Sequence, residues 1–169
     1  MSWSDRARPV AALALSLALA GCFQPLYGES SHPGLTEKLR QVQVTPIPDR
    51  IGHYLADDLI SRFNGTGTTV EPKYRLDIKL AKNATSPIVE SQFGISTSST
   101  LATDASFSLT QIDKGTVIYS GLATAAAPYD TSLQSYANLR AARDAEIRDA
   151  RSLAQEIEVR VAAALSAAN

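Results

Sequence analysis

The feature that most limits how this chain can fold is its single cysteine, Cys22, which closes an apolar N-terminal run. Arg6 and Arg8 precede an uncharged stretch of Val, Ala, Leu and one Ser over residues 10–20. A basic start followed by an apolar run is typical of a secretory signal. The run is also shorter than the about 20 residues that a membrane-spanning helix needs. We therefore expect residues 1–21 to be a signal peptide.

The sequence Leu19-Ala20-Gly21-Cys22 has the pattern of a bacterial lipobox, in which the chain is cut before the cysteine and the cysteine is acylated. The alternative is a structural or free cysteine that falls here by chance. The lipobox is favoured because this is the only cysteine and it lies where the apolar run ends. Two or more acyl chains give a stable membrane anchor, whereas one holds only marginally. Cys22 is therefore predicted to carry the lipid.

Two consequences follow for the mature chain. Because the lipid consumes the only thiol, no internal disulfide can form and the core alone must stabilise the fold. Phe23, not Asp, follows the cysteine, which predicts sorting to the outer membrane of a bacterial cell.

Length and charge limit the remaining possibilities. The chain has 16 basic and 17 acidic residues, so it has no global electrostatic attraction to nucleic acid, and we expect no nucleic-acid partner. The length after Cys22 suits one domain. We expect a lipidated tether over residues 22–40, rich in Gly and Pro towards residue 34, and a single domain over residues 41–169.

Hydrophobic periodicity predicts the first elements of this domain. Val42 and Val44 alternate with polar residues as in a short strand. Asp49 is placed to cap a helix that begins at Arg50. The apolar residues of that helix recur every fourth position and form one stripe: Ile51, Leu55, Leu59 and Phe63.

From Tyr74 the period changes to two, which predicts a half-buried strand. Its apolar side is Tyr74, Leu76, Ile78 and Leu80, and its polar side is Lys73, Arg75, Asp77 and Lys79. Further strands are predicted over residues 101–109 and 117–127, joined by a turn at residues 113–115. The stretch 83–100 is compatible with a hairpin or with a long connection.

A long helix is predicted from about Tyr136 to the C-terminus. Its apolar positions are Leu139, Ala142, Ala150, Leu153, Ala154, Ile157, Val161 and Leu165, and the charged face is assigned Arg143, Glu146, Asp149, Arg151, Glu156, Glu158 and Arg160. Together the elements predict an α+β fold. It is a two-layer sandwich with two helices packed on one face of a mostly antiparallel four-stranded sheet.

No constellation of residues points to catalysis. His32 and His53 have no companion at metal-ligand spacing, and no nucleophile or phosphate-loop motif is present. We expect a protein that is not an enzyme, with no catalytic residue, metal or cofactor. The remaining candidate is the cationic row Lys73, Arg75 and Lys79, which could bind phosphate groups. The alternative is ordinary solvated charge on an edge strand.

Several short motifs carry a family resemblance that runs over essentially the mature chain. The stretch Cys22-Phe23-Gln24-Pro25-Leu26-Tyr27-Gly28 resembles the mature start of the lipopolysaccharide-assembly lipoprotein, the LptE family, in its alphaproteobacterial form. Pro48-Asp49-Arg50-Ile51-Gly52, which opens the first helix, and Ser135-Tyr136-Ala137, ahead of the long helix, agree with it.

The resemblance implies a two-layer sandwich that sits as a plug inside the outer-membrane β-barrel LptD and assists lipopolysaccharide delivery to the outer leaflet. It also implies lipopolysaccharide binding through basic residues on the sheet. The alternative function is a periplasm-facing accessory lipoprotein of a lipid-trafficking transporter, and a less favoured third is an anchored hydrolase.

Overall fold

The computed structural model describes residues 34–65, 67–85 and 98–167. The predicted signal peptide, Cys22 and most of the predicted tether lie outside these residues, as does most of the 83–100 stretch. The described elements, in chain order, are α1 (Leu35–Arg40), β1 (Val42–Val44), α2 (Arg50–Phe63), β2 (Tyr74–Thr85), β3 (Ser98–Gln111), β4 (Thr116–Asp130) and α3 (Ser135–Ala167). None of these helices combines the length and apolarity that spanning a bilayer requires.

The four strands form one open sheet in the order β1-β2-β3-β4. β1 runs parallel to β2, and the other two pairings are antiparallel. The long helices α2 and α3 pack over the sheet face that carries buried side chains such as Leu76, Phe107 and Leu109. The predicted α+β two-layer sandwich is confirmed. α1 is an additional helix in the last part of the predicted tether, and its Lys38 Nζ donates to the Leu165 carbonyl at 3.2 Å.

The apolar stripe of α2 is buried as predicted, but the predicted side-chain cap is wrong. Asp49 makes no capping hydrogen bond; its backbone lies at φ 70° and ψ 165°. Its carboxylate instead pairs with Lys82 Nζ at 2.9 Å. A non-glycine residue in this region is strained by about 1–3 kcal/mol. Gly52 packs closely on Ile47, and this contact sets the path of the backbone as it enters α2.

α2 and α3 run parallel and in register, as two ion pairs show. Arg50 Nε lies 2.6 Å from Glu146, and Arg62 Nη1 lies 2.9 Å from Glu158, with both pairs 96 residues apart in sequence. Arg62 also pairs with Asp58 at 2.7 Å, and that hydrogen bond is the largest cause raising the pKa of Arg62. Partly exposed pairs like these contribute roughly 0–1 kcal/mol each, so they align the helices more than they stabilise them.

The buried row of α3 departs from the sequence prediction in both directions: Leu139, predicted on the apolar side, is 60% exposed, and one residue predicted on the charged face is buried. Asp149, assigned above to the charged face, is 1% exposed. It stands four residues after Ala145 and four before Leu153, both fully buried, so helical spacing places all three on one side. The assignment was wrong because it followed the charge of the residue instead of its position in this row.

Side chains of α3 cover much of the open edge of β4. Arg160 Nη1 donates to the Leu122 carbonyl at 2.7 Å, the Thr124 amide donates to Glu156 at 3.2 Å, and Arg148 Nη2 donates to the Pro128 carbonyl at 2.8 Å. Pro128 itself has no amide hydrogen to offer a further strand. Edge strands with free backbone groups invite pairing with other chains, so these contacts protect β4. They also hold α3 on one face of the sheet. No described helix covers the other face.

Candidate binding face of the sheet

The candidate site is the sheet face opposite the helices, called here the open face. Because successive side chains of a strand point to opposite sides, register assigns each residue to a face. Three neighbouring rows run across β2, β3 and β4, and they are Arg75–Thr110–Val117, Asp77–Ser108–Ser120 and Lys79–Ser106–Leu122. The face therefore presents a different chemistry on each of its three long strands.

The β2 side of the open face is mainly cationic. Lys73, Arg75 and Lys79 are all exposed, as predicted from the alternation of the strand. Arg75 Nε lies 3.0 Å from Asp77 Oδ2, so the row contains one anion that neutralises part of its charge. Among the described residues, Lys73 and Lys79 have no ion-pair partner. These two ammonium groups are the ones available to an anionic ligand.

The middle of the open face is shallow and lined with hydroxyl groups. The outward residues of β3 between its two neighbours are short, namely Ala102, Asp104, Ser106, Ser108 and Thr110; Asp104 adds an anion to this face, and Thr110 is only 8% exposed. Ser106 lies directly opposite Lys79, and Thr110 lies opposite Arg75. A ligand that contacts Lys79 can therefore also receive a hydrogen bond from the exposed Ser106 hydroxyl one strand, or about 4.8 Å, away.

The β4 side of the open face carries exposed apolar side chains between polar ones such as Ser120, which the sequence did not predict. Leu122 is 51% exposed and Val117 is 55% exposed, and Ile112, after the end of β3, is 41% exposed. Val117 reaches this face because the register shifts next to Thr110, so that Tyr119 pairs with Leu109 but Val117 pairs with Thr110. The alternation of Leu122 with the buried Ala123 was the available sequence signal for this apolar side.

The geometry brings cations and apolar side chains to opposite sides of one trough. Two strand spacings separate β2 from β4, or about 10 Å. Arg75 and Lys79, four residues apart on an extended strand, lie about 13 Å from each other. β1 pairs with β2 only as far as Leu76, so Lys79 also lies along a strand edge. That position fits the edge-charge alternative as well as ligand binding.

Away from this face, the described ranges contain clefts beside α3, one of them between α3 and the end of β4. The described ranges contain no group of three or more His, Cys, Asp or Glu side chains that could hold a metal ion. His53 is exposed on α2. A cleft between α2 and α3 is lined by Tyr54, Asp57, Asp58, Ser61, Ile147 and Arg151, and one of its two aspartates is already engaged by Arg62.

Comparison with solved structures places this architecture among known folds. A crystal structure from Caulobacter crescentus CB15, assigned as a lipoprotein, matches with a TM-score of 0.66 and 19% identity over 80% of this chain and 98% of its own. A further bacterial lipoprotein has a similar fold. This second structure, a minor lipoprotein from Acinetobacter baumannii, matches with a TM-score of 0.54 and 15% identity over 73% of this chain and 92% of its own. At these identities the likeness concerns the fold. No family model and no curated protein matches the sequence.

Proposed function

We propose that this chain is a lipid-anchored outer-membrane lipoprotein that plugs the LptD β-barrel and assists lipopolysaccharide transport and assembly. The observation that carries the proposal is the open face, where cations and apolar side chains line opposite sides of one hydroxyl-lined trough. Lipopolysaccharide is an amphiphile with phosphate groups and acyl chains, so it needs both kinds of surface. The proposed role consists of binding and assembly and includes no catalytic step.

Two further observations support the proposal. The Leu19-Ala20-Gly21-Cys22 sequence is that of a lipoprotein signal, and the fold is shared with two proteins described as bacterial lipoproteins. The choice of LptD as the partner and of lipopolysaccharide as the ligand rests on the motifs that resemble the lipopolysaccharide-assembly lipoprotein.

The partner is tested by purifying a tagged full-length chain from detergent-solubilised membranes and identifying its stoichiometric companion. We expect an outer-membrane β-barrel. An inner-membrane transporter in its place would support the alternative, an accessory lipoprotein of a lipid-trafficking system. A chain that purifies alone from these solubilised membranes would contradict both assignments.

Lipidation at Cys22 has its own test. Cys22→Ala is expected to leave the precursor uncut, because the thiol must be acylated before cleavage. Mass spectrometry of the mature wild-type protein should show an N-terminal acylated cysteine. A mature protein that begins at another residue and carries no lipid would contradict the proposed anchor.

The cationic row predicts a charge-dependent affinity for lipopolysaccharide. Changing Lys73, Arg75 and Lys79 together to Glu is expected to weaken lipopolysaccharide binding at least tenfold without lowering the melting temperature, because all three side chains are exposed. Binding by the wild type should also weaken as salt rises, since exposed charges are screened beyond about 10 Å at 0.1 M ionic strength. Pull-down of lipopolysaccharide and thermal unfolding are measured on the same variant.

Two controls sharpen this experiment. Changing Lys114, Arg140 and Arg151 together to Glu alters the net charge equally but leaves the row intact, so binding should stay near wild type. Asp77→Asn removes the anion that holds Arg75 and is expected to strengthen binding. Equal losses in the two triple variants would mean that net charge, and not the row, governs affinity, and would reduce the row to solvated strand charge.

A further inference from the structure

The least expected feature of the core is the buried carboxyl group of Asp149. Its side chain and that of Thr103 on β3 are each 1% exposed. Both carboxyl oxygens of Asp149 and the Thr103 hydroxyl lack a hydrogen-bond partner of normal geometry among the described residues. Ala145, Ala150 and Leu153, all fully buried, surround Asp149 on its own helix. An ionised carboxylate in such surroundings is destabilising.

No described cation is placed to compensate this carboxyl group. On α3, Arg148 is held by Asp144 and the Pro128 carbonyl, and Glu146 is held by Arg50 of α2. On β2, Lys82 lies opposite Thr103 and on the same face, but its Nζ is held by Asp49 at 2.9 Å. His53 of α2 is exposed, Asp104 of β3 points to the open face, and Tyr129 of β4 is half-buried. Burial is the larger cause acting on the Asp149 pKa and raises it, while a hydrogen bond from Thr103 acts in the opposite direction.

We propose that Asp149 and Thr103 form a proton-operated clamp, in which the neutral acid docks the N-terminal half of α3 on the sheet and the carboxylate releases it. The neutral acid has an O–H that can be donated to Thr103 Oγ1, so a small approach of the two side chains would satisfy both groups. Loss of that proton leaves a charge in an apolar interface, where the Thr103 hydroxyl offsets only part of the cost of burial. The clamp is independent of the function proposed above.

The position of Asp149 explains why the release is local. From Ser135 to Asp144 no residue of α3 is buried, and Ala145 is the first that is. The attachments of this part are polar, such as the bond of Arg143 Nε to the Tyr54 hydroxyl at 3.3 Å and the bond of Arg148 to Pro128. From Leu153 to Leu165 the helix is fixed by fully buried apolar residues. Ionisation at Asp149 therefore acts where the attachment of α3 is weakest.

The direction of the pH effect follows from the raised pKa. A carboxyl group with a folded-state pKa above its ordinary value of about 3.9 binds its proton more tightly in the folded protein. The stabilisation of the folded protein by this proton is complete below about pH 3.9. It is lost as the pH rises through the folded-state pKa of the group. Asp149→Asn has no proton to lose. The folding equilibrium constant of the variant, divided by that of the wild type, should rise by up to about tenfold per pH unit within that window.

The test compares wild type, Asp149→Asn and the control Asp57→Asn, an exposed acid on α2, by chemical denaturation from pH 4 to pH 8. Asp149→Asn should gain stability relative to wild type as the pH rises, whereas Asp57→Asn should follow the wild-type curve. If the folding equilibrium constant of Asp149→Asn, divided by that of wild type, stays constant from pH 4 to pH 8, the clamp is overturned.

Hydrogen exchange tests where the release occurs. At pH 8, amides near Ala145 and Ala150 should exchange at least tenfold more slowly in Asp149→Asn than in wild type, with a smaller change near Val161. Equal slowing along all of α3 would show that only global stability changed and would overturn local release. Thr103→Val gives a second readout: because the clamp uses the hydroxyl as acceptor for the neutral acid, its loss should lower the pH at which the Asp149 carboxyl carbon titrates in NMR spectra, whereas a rise would show that Thr103 stabilises the carboxylate and would overturn the clamp. An Asp149 carboxyl that titrates at an ordinary value in wild type would exclude the clamp.

Discussion

Leu153→Asp is expected to unfold most of the protein at physiological temperature. Leu153 is fully buried in the middle of α3, and the change would place a second carboxyl group four residues after Asp149 on the same row. Burying an unpaired charge costs several kcal/mol, about the size of the whole stability of a small domain. The milder change Leu153→Ala should cost about 2–5 kcal/mol.

Val159→Asp is the matched control for this prediction, because Val159 lies on the same helix with 46% of its side chain exposed. It should change the free energy of unfolding by no more than about 0.5 kcal/mol. Circular dichroism during thermal and denaturant unfolding measures all three variants. Similar losses at Leu153 and Val159 would mean that the buried row of α3 is assigned wrongly.

Helical spacing predicted most of this core from sequence. The stripe of α2 is buried throughout, and the row of α3 that continues from Leu153 through Ile157 and Val161 to Leu165 is fully buried. These predictions succeeded because an apolar residue at every third or fourth position has few alternatives to burial. The same spacing, applied without regard to charge, would have placed Asp149 in the core.

Features that depend on tertiary packing were not predictable from local pattern. The Asp49 backbone is set by the approach of Gly52 to Ile47, which no local preference for a capping residue describes. Likewise, Val117 faces outward only because of an irregular register between β3 and β4. The cationic side of the open face was predicted from alternation within one strand, whereas its apolar side required the pairing of strands.

The contacts between α3 and the edge of β4 were also not predictable from local sequence pattern. Sequence assigned Glu156 and Arg160 to a solvated face, and both are at least a third exposed as side chains. They nevertheless bind each other and the backbone of β4 at Thr124 and Leu122. A helical pattern gives the direction of a long charged side chain, but the strand edge it reaches depends on how the layers are stacked.

Gly52→Ala is expected to destabilise the protein even though it improves helix propensity. Ala is favoured over Gly in a helix by about 1 kcal/mol. A Cβ at this position would lie 2.8 Å from both Cγ2 and the carbonyl oxygen of Ile47, which is itself buried. Overpacking costs about 1–3 kcal/mol, occasionally more. Because one of the two contacts is with backbone, which cannot rotate away, we expect a cost in the upper part of this range, so that packing prevails by about 1–2 kcal/mol.

The double variant Gly52→Ala with Ile47→Ala separates the two contacts. Removing Cγ2 relieves the side-chain contact but leaves the carbonyl in place, so the double variant should recover only part of the loss caused by Gly52→Ala, measured against Ile47→Ala alone. Ser61→Ala, an exposed change on the same helix, should stay within about 0.5 kcal/mol of wild type. Denaturant unfolding measures all four. A gain in stability for Gly52→Ala would show that propensity outweighs packing, and that the chain before α2 can move away from the helix without strain.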